Sequence, residues 1–112
     1  MKLIMAMIKP FKLDEVREAL TNLGVRGMMV TEIKGFGAQS DHTKAYRGAE
    51  YVVNFVLKLK LEIVVEAARA EKVVERVTTS ARTGKIGDEK IFVLDAEQAV
   101  RVGSGDTVAD TI

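Results

Sequence analysis

The sequence predicts an α+β domain with the ferredoxin-like order βαββαβ, and three observations carry that prediction. From Val53 to Val65 apolar residues alternate with polar ones at the two-residue period of a strand. Two other stretches, one starting at Leu13 and one around Ala70 to Ala81, repeat their apolar residues at helical spacing. Short apolar runs precede the first of these and follow the second. Strands and helices in this order make an antiparallel sheet with both helices on one face.

The elements follow along the chain. "KLIMAMI" is apolar on both alternating sides, which fits a central strand covered on two sides. In "LDEVREALTNLG" the residues Leu13, Val16, Leu20 and Leu23 form an apolar stripe, with Asp14 and Glu15 in the first turn and Gly24 just past the end. Met28 to Phe36 is rich in β-branched residues and stops at "GFG", so it reads as the second strand. The polar stretch "AQSDHTKAYRGAE" has no apolar period, and a loop of that length in a compact chain is usually functional or disordered.

The third strand then places Phe55, Leu57, Leu59, Leu61, Ile63 and Val65 on one side, and Lys58, Lys60 and Glu62 on the other. Ala70, Val73, Val74, Val77 and Ala81 predict the second helix, with Gly84 placed as its C-cap. "KIFVLD" is the fourth strand and "QAVRV" a short fifth. The tail "GSGDTVADTI" is small and polar enough to be mobile without a ligand.

Composition narrows the classes of function. At 112 residues the chain is one domain, of a size that often gains stability by burying surface in an oligomer. Its 17 basic and 16 acidic residues leave a net charge of +1, so no bulk field draws in nucleic acid or membrane, and any anion site is local. The absence of cysteine excludes disulfides, thiolate catalysis and cysteine-based zinc sites. "LIMAMI" is far too short to span a membrane, and a soluble, cytoplasmic protein without membrane insertion is expected.

Chemistry-bearing residues are few. "TGKIGDEKIFV" is not a Walker A loop, because it follows a helix and precedes a strand and lacks that motif's spacing. Gly84 and Gly87 still allow backbone N–H groups to turn inward around an anion, with Lys85 and Lys90 adding charge. The alternative is a plain turn between helix and strand, and pattern alone leaves both open. His42, the only histidine, has no second histidine or cysteine with which to bind metal, and no Ser-His-Asp set can be assembled. No enzymatic activity has positive support.

The repeated charges of Lys58, Lys60 and Glu62 must face solvent, a ligand or another subunit, and solvent is the simplest reading. Arg101 on the last strand could join them. The same fold class hosts RNA-binding modules, but the aromatic content is only 5% and there is no RNP pattern. It also hosts acyl-phosphate hydrolases, for which Asn22 and Asn54 qualify by residue type alone. Fold cannot choose among these, and the site residues must.

Four stretches, "IKPFKLDEVREAL", "VTEIKGFG", "YRGAEYVV" and "ARTGKIGDEKIFV", together closely resemble the PII signal-transduction proteins of nitrogen metabolism, in register over nearly the whole chain. The resemblance implies a single domain over residues 1–112, assembled as a homotrimer, with a T-loop at about 37–55, a phosphate-binding B-loop at about 82–90 and a C-terminal tail at about 102–112. It implies ATP or ADP held in clefts between subunits, Mg2+ with ATP, and 2-oxoglutarate as an effector. Docking of the T-loop onto an ammonium channel, nitrogen-metabolism enzymes or regulators would deliver the signal.

Carried across by position, the resemblance implies that Gly35, Phe36 and Gly37 line the nucleotide cleft and that Glu62 and Val64 flank the adenine. Gly87, Asp88 and Lys90 belong to the phosphate loop, and Arg101 reaches over from the neighbouring subunit. Gln39 resembles the residue that ligates Mg2+ beside 2-oxoglutarate, with Lys58 as counter-charge of the keto acid. Arg47 resembles the arginine that plugs a channel pore, and Tyr51 the tyrosine modified by a uridylyltransferase.

Departures from the family pattern are concentrated near the expected phosphates. Ala38 and Gly103 stand where the family usually has arginines, and Glu89 stands for a glycine. Met29 replaces a threonine, Ser40 and Asp41 replace Lys-Gly, and Leu57 replaces a proline. Two cations lost and one anion gained should weaken triphosphate binding most. The alternative expectation is therefore a paralogue that prefers ADP or AMP and serves another transporter, such as a metal-efflux or carbon-uptake system.

Overall fold

A computed structural model of the protein describes residues 1–35 and 55–108. In it, β1 (Lys2–Ile8) leads through a 3-10 turn at Pro10–Lys12 into α1 (Leu13–Asn22), followed by β2 (Met29–Gly35). Then come β3 (Val56–Val65), α2 (Ala67–Ala81) and β4 (Ile91–Asp95). The predicted order holds. The expectations for Phe36, Gly37, Ala38, Gln39, His42, Arg47 and Tyr51 fall outside the described residues.

The sheet runs β2-β3-β1-β4, every neighbouring pair antiparallel. β1 is central, as its two-sided apolar pattern predicts. Ile4, Ala6 and Ile8 join Leu59, Leu61, Ile63 and Val65 beneath the helices, where Val16, Leu20, Ala70, Val73 and Val77 complete the core. The other side of the sheet carries Leu3 and Met5 of β1 opposite Leu94 and Phe92 of β4, with Met7 farther along β1. Among the described residues no second layer covers that face: Phe92, Leu94 and Met29 are all exposed.

α1 ends as Gly24 foretells. Gly24 takes φ 93°, its amide donates to Thr21 O, and the Val25 amide donates to Leu20 O, the paired bonds of a Schellman cap. Arg69, from the first turn of α2, donates to Leu23 O and so ties the two helices together at that end.

Two expectations about boundaries are corrected. α2 stops at Ala81 with Arg82 in an extended conformation, so Gly84 is not its C-cap; its positive φ serves the following turn. "QAVRV" forms one isolated bridge, Val100 to Thr107, and no strand among the described residues. The chain there doubles back through Gly105, whose amide donates to Arg101 O, and this tight reversal leaves no room for a ladder. The tail is thus folded back as far as Val108.

Candidate functional site

The turn from Arg82 to Lys90 and the start of β3 meet at one end of the sheet. Gly35 closes β2 opposite Val56, so the segment between these two strands springs from the same end. β4 begins at Ile91, beside Ala6, and leaves the sheet at Asp95, beside Lys2. Arg101 follows that far end and is exposed; among the described residues no hydrogen bond or ion pair joins its side chain to the turn.

The turn is organised around Asp88. Its carboxylate accepts from the Thr83 hydroxyl at 2.7 Å, the Thr83 amide at 3.0 Å and the Gly84 amide at 2.9 Å. The Lys85 amide donates to Thr83 Oγ1 at 3.1 Å, and the Asp88 amide to Lys85 O at 3.4 Å. The inward-turned amides that pattern suggested for an external anion are therefore partly filled by the chain's own carboxylate. Hydrogen bonds from Thr83, then from the Gly84 amide, with the Lys9 charge nearby, hold the Asp88 carboxyl far below its ordinary value.

Lys9 is the residue that sequence reasoning missed. From the end of β1 its ammonium donates to Thr83 Oγ1 at 2.9 Å and Ile86 O at 3.1 Å, and lies 3.4 Å from Asp88 Oδ1. Nothing in the local pattern marks it, since its partners lie more than seventy residues away. Gly87 takes φ 105°, a conformation that favours glycine, and a Cβ there would approach Lys9 Cε to 3.1 Å.

Lys58 corrects the simplest reading of β3. Its polar side does alternate, yet Lys58 is only 4% exposed. Its ammonium donates to Gly87 O at 2.5 Å and pairs with Glu89 Oε2 at 3.0 Å. An ammonium at that depth requires such partners, because desolvation of an unpaired charge is costly. Farther along the same side, Glu62 lies opposite Met5 and Met29, and Val64 opposite Leu3; both are half-buried. Lys85 and Lys90 are exposed.

The structure thus brings Gly35, Lys58, Gly87, Asp88 and Lys90 to one end, and strings Glu62 and Val64 along β3 from there. Behind the turn, on the helix side, a mostly apolar cleft of about 270 Å3 is lined by Val74, Val77, Ala81 and Ile91, together with Lys9, Asp88 and Glu89. Among the described residues no three His, Cys, Asp or Glu side chains converge as a metal site, and no helix is long and apolar enough to cross a membrane.

Comparison with known proteins agrees with this layout. The family model for "Nitrogen regulatory protein P-II" matches residues 1–106. Proteins of that name from Rhizobium etli and Rhodospirillum rubrum are each 54% identical over 112 residues, covering all of both chains. The one from Pasteurella multocida is 53% identical over the same span. Identity of this order over every element of a βαββαβ sheet, with matching length, leads to one conclusion: the chain belongs to the nitrogen regulatory protein P-II family, whose members are regulators and not enzymes.

Proposed function

We propose that the protein is a homotrimeric sensor of adenine nucleotide and 2-oxoglutarate that regulates an ammonium channel or nitrogen-metabolism enzymes through the loop between β2 and β3. The observation that carries this reading is the buried Lys58 ammonium at the loop-bearing end of the sheet, linked to Gly87 of the turn. A recessed cation on a rigid strand suits the carboxylate of a keto acid. The row of Glu62 and Val64 beyond it suits a base, and Lys85 and Lys90 on the turn suit phosphates. Mg2+ would be held by nucleotide phosphates and Gln39, and there it would supply charge neutralisation between phosphates and keto acid.

Trimer formation is supported by the uncovered sheet face. Met29 is 60% exposed and Phe92 47%, on a side that also carries Leu3, Met5 and Leu94. Burying that face against two further copies would remove apolar surface from water, and by the family resemblance Arg101 would then reach a neighbouring subunit's turn.

Response by the loop is a shift of population, so each ligand must prefer one loop state to act. Uridylylation of Tyr51 would add a bulky anion to the docking segment. The decisive experiment is calorimetric titration of the trimer with ATP, ADP and AMP, repeated with Mg2+ and 2-oxoglutarate. Binding of 2-oxoglutarate only in the presence of MgATP is expected; absence of any nucleotide binding overturns the reading.

A second reading has its own observation. The anion-facing amides are occupied by Asp88, and Glu89 already neutralises Lys58. Both favour ligands of lower charge, ADP or AMP over ATP, in a paralogue serving a different transporter. Tighter ADP or AMP binding with no 2-oxoglutarate heat in the same titration selects it.

A further inference from the structure

We propose that Glu89 is an internal counter-ion that latches Lys58, so that a carboxylate ligand reaches this lysine only by displacing the protein's own carboxylate. The inference rests on Lys58 as the keto-acid's partner. Glu89 then sets the affinity and the discrimination of that site.

The two partners differ in freedom. Lys58 is paired with Ile33 of β2, one residue before β3 becomes paired on both sides, and its side chain is 5% exposed. Glu89 lies on the turn, its side chain 39% exposed, two residues after the positive-φ Gly87. The strand is fixed by its ladders, so the carboxylate is the part that moves. An ammonium has three donors. Gly87 O and Glu89 Oε2 take two of them at 2.5 and 3.0 Å, and the carbonyl carries no net charge. Glu89 therefore supplies the counter-charge that this buried position requires.

An incoming carboxylate can satisfy the same need, since it offers the same oxygen chemistry. It cannot share the lysine with Glu89 without bringing two anions together. Binding and unlatching are thus one exchange, in which the half-exposed Glu89 side chain leaves Lys58 for solvent while the turn stays held by Asp88. A singly charged or weakly oriented carboxylate gains too little to replace a tethered one. A dicarboxylate held elsewhere by its second group gains enough.

The test compares wild type, Glu89→Gln and Glu89→Ala as intact oligomers. Calorimetry measures 2-oxoglutarate binding with MgATP present, and mass spectrometry measures the rate of reductive methylation of Lys58 without ligand. Removing the carboxylate should tighten 2-oxoglutarate by about tenfold, the scale of one charge-assisted hydrogen bond. It should also speed methylation of Lys58 several-fold, relative to the exposed Lys85 in the same protein.

If 2-oxoglutarate binds all three proteins equally, or binds wild type best, the latch is overturned while the keto-acid reading stands. If none binds 2-oxoglutarate although nucleotide binds, the keto-acid reading fails. Methylation then decides the ion pair alone: a faster Lys58 in both variants retains it, and an unchanged rate overturns it.

Discussion

The Thr83 hydroxyl donates to Asp88 Oδ1 at 2.7 Å while the Thr83 amide donates to Oδ2 at 3.0 Å, so one residue grips both oxygens of one carboxylate. Together with the Gly84 amide and the Lys9 ammonium, this grip shapes the turn before any ligand arrives.

Acid should test that grip directly. A carboxyl whose pKa is lowered by folding contributes stability that is complete above its unfolded value and is lost as pH falls through the folded one. For Asp88 the loss begins only below the ordinary 3.8. Its side-chain carbon resonance should therefore stay constant from neutral pH down to about pH 5 and move only in stronger acid. Asp88→Asn should remove this acid-limb contribution to unfolding and speed amide exchange at Thr83 and Gly84. An inflection for Asp88 above 3.8 contradicts the assignment.

Gly87→Ala should destabilise the protein by about 1–2 kcal/mol in urea unfolding, since a side chain is poorly tolerated at positive φ. Its Cβ would also press on Lys9 Cε at 3.1 Å. Gly103→Ala, where a Cβ meets nothing within 4 Å, is the matched control and should change little.

Leu61→Ala addresses the core. Leu61, on β3 opposite Ala6, is fully buried beneath the helices. Its truncation should cost about 2–5 kcal/mol, read as a lower denaturation midpoint with an unchanged slope. A cost within 0.5 kcal/mol, the ordinary range for surface changes, would mean that the core is elsewhere.

Phe92→Glu addresses the uncovered sheet face. A charge placed beside Met5 and Leu94 should be harmless to a monomer, where the position is 47% exposed, and disruptive to an oligomer that buries it. Sedimentation should shift from trimer to monomer with the helical circular dichroism retained. A variant that still sediments as a trimer places the interface on another surface.

Periodicity made the frame legible. The alternation of β3 and the stripes of Val16 and Leu20, and of Val73 and Val77, are local signals that burial then obeys. The Schellman cap at Gly24 was legible for the same reason, being complete within a few residues.

What stayed hidden is long-range. Lys58 reads as one more solvated lysine because its burial depends on Glu89, thirty-one residues away, and Lys9 joins a turn seventy-four residues on. A glycine-and-lysine turn reads as an anion cradle equally well whether the anion is external or its own Asp88. Composition cannot separate these cases, because both use the same amides. Gly84 misled in a similar way: a positive φ was correctly expected there, but the element that needs it is the turn and not the helix end.

β3 also sets a length scale. Lys58 and Glu62 lie on one side of a strand bonded along both edges, about 13 Å apart at the usual rise per residue. That separation cannot stretch or shorten without breaking ladder bonds to β2 along its length and to β1 from Leu59 onward. The strand therefore holds the two side chains at a fixed span. Any change in the surroundings of the Lys58 ammonium has to come from the turn that carries Gly87 and Glu89, while the strand itself stays constant.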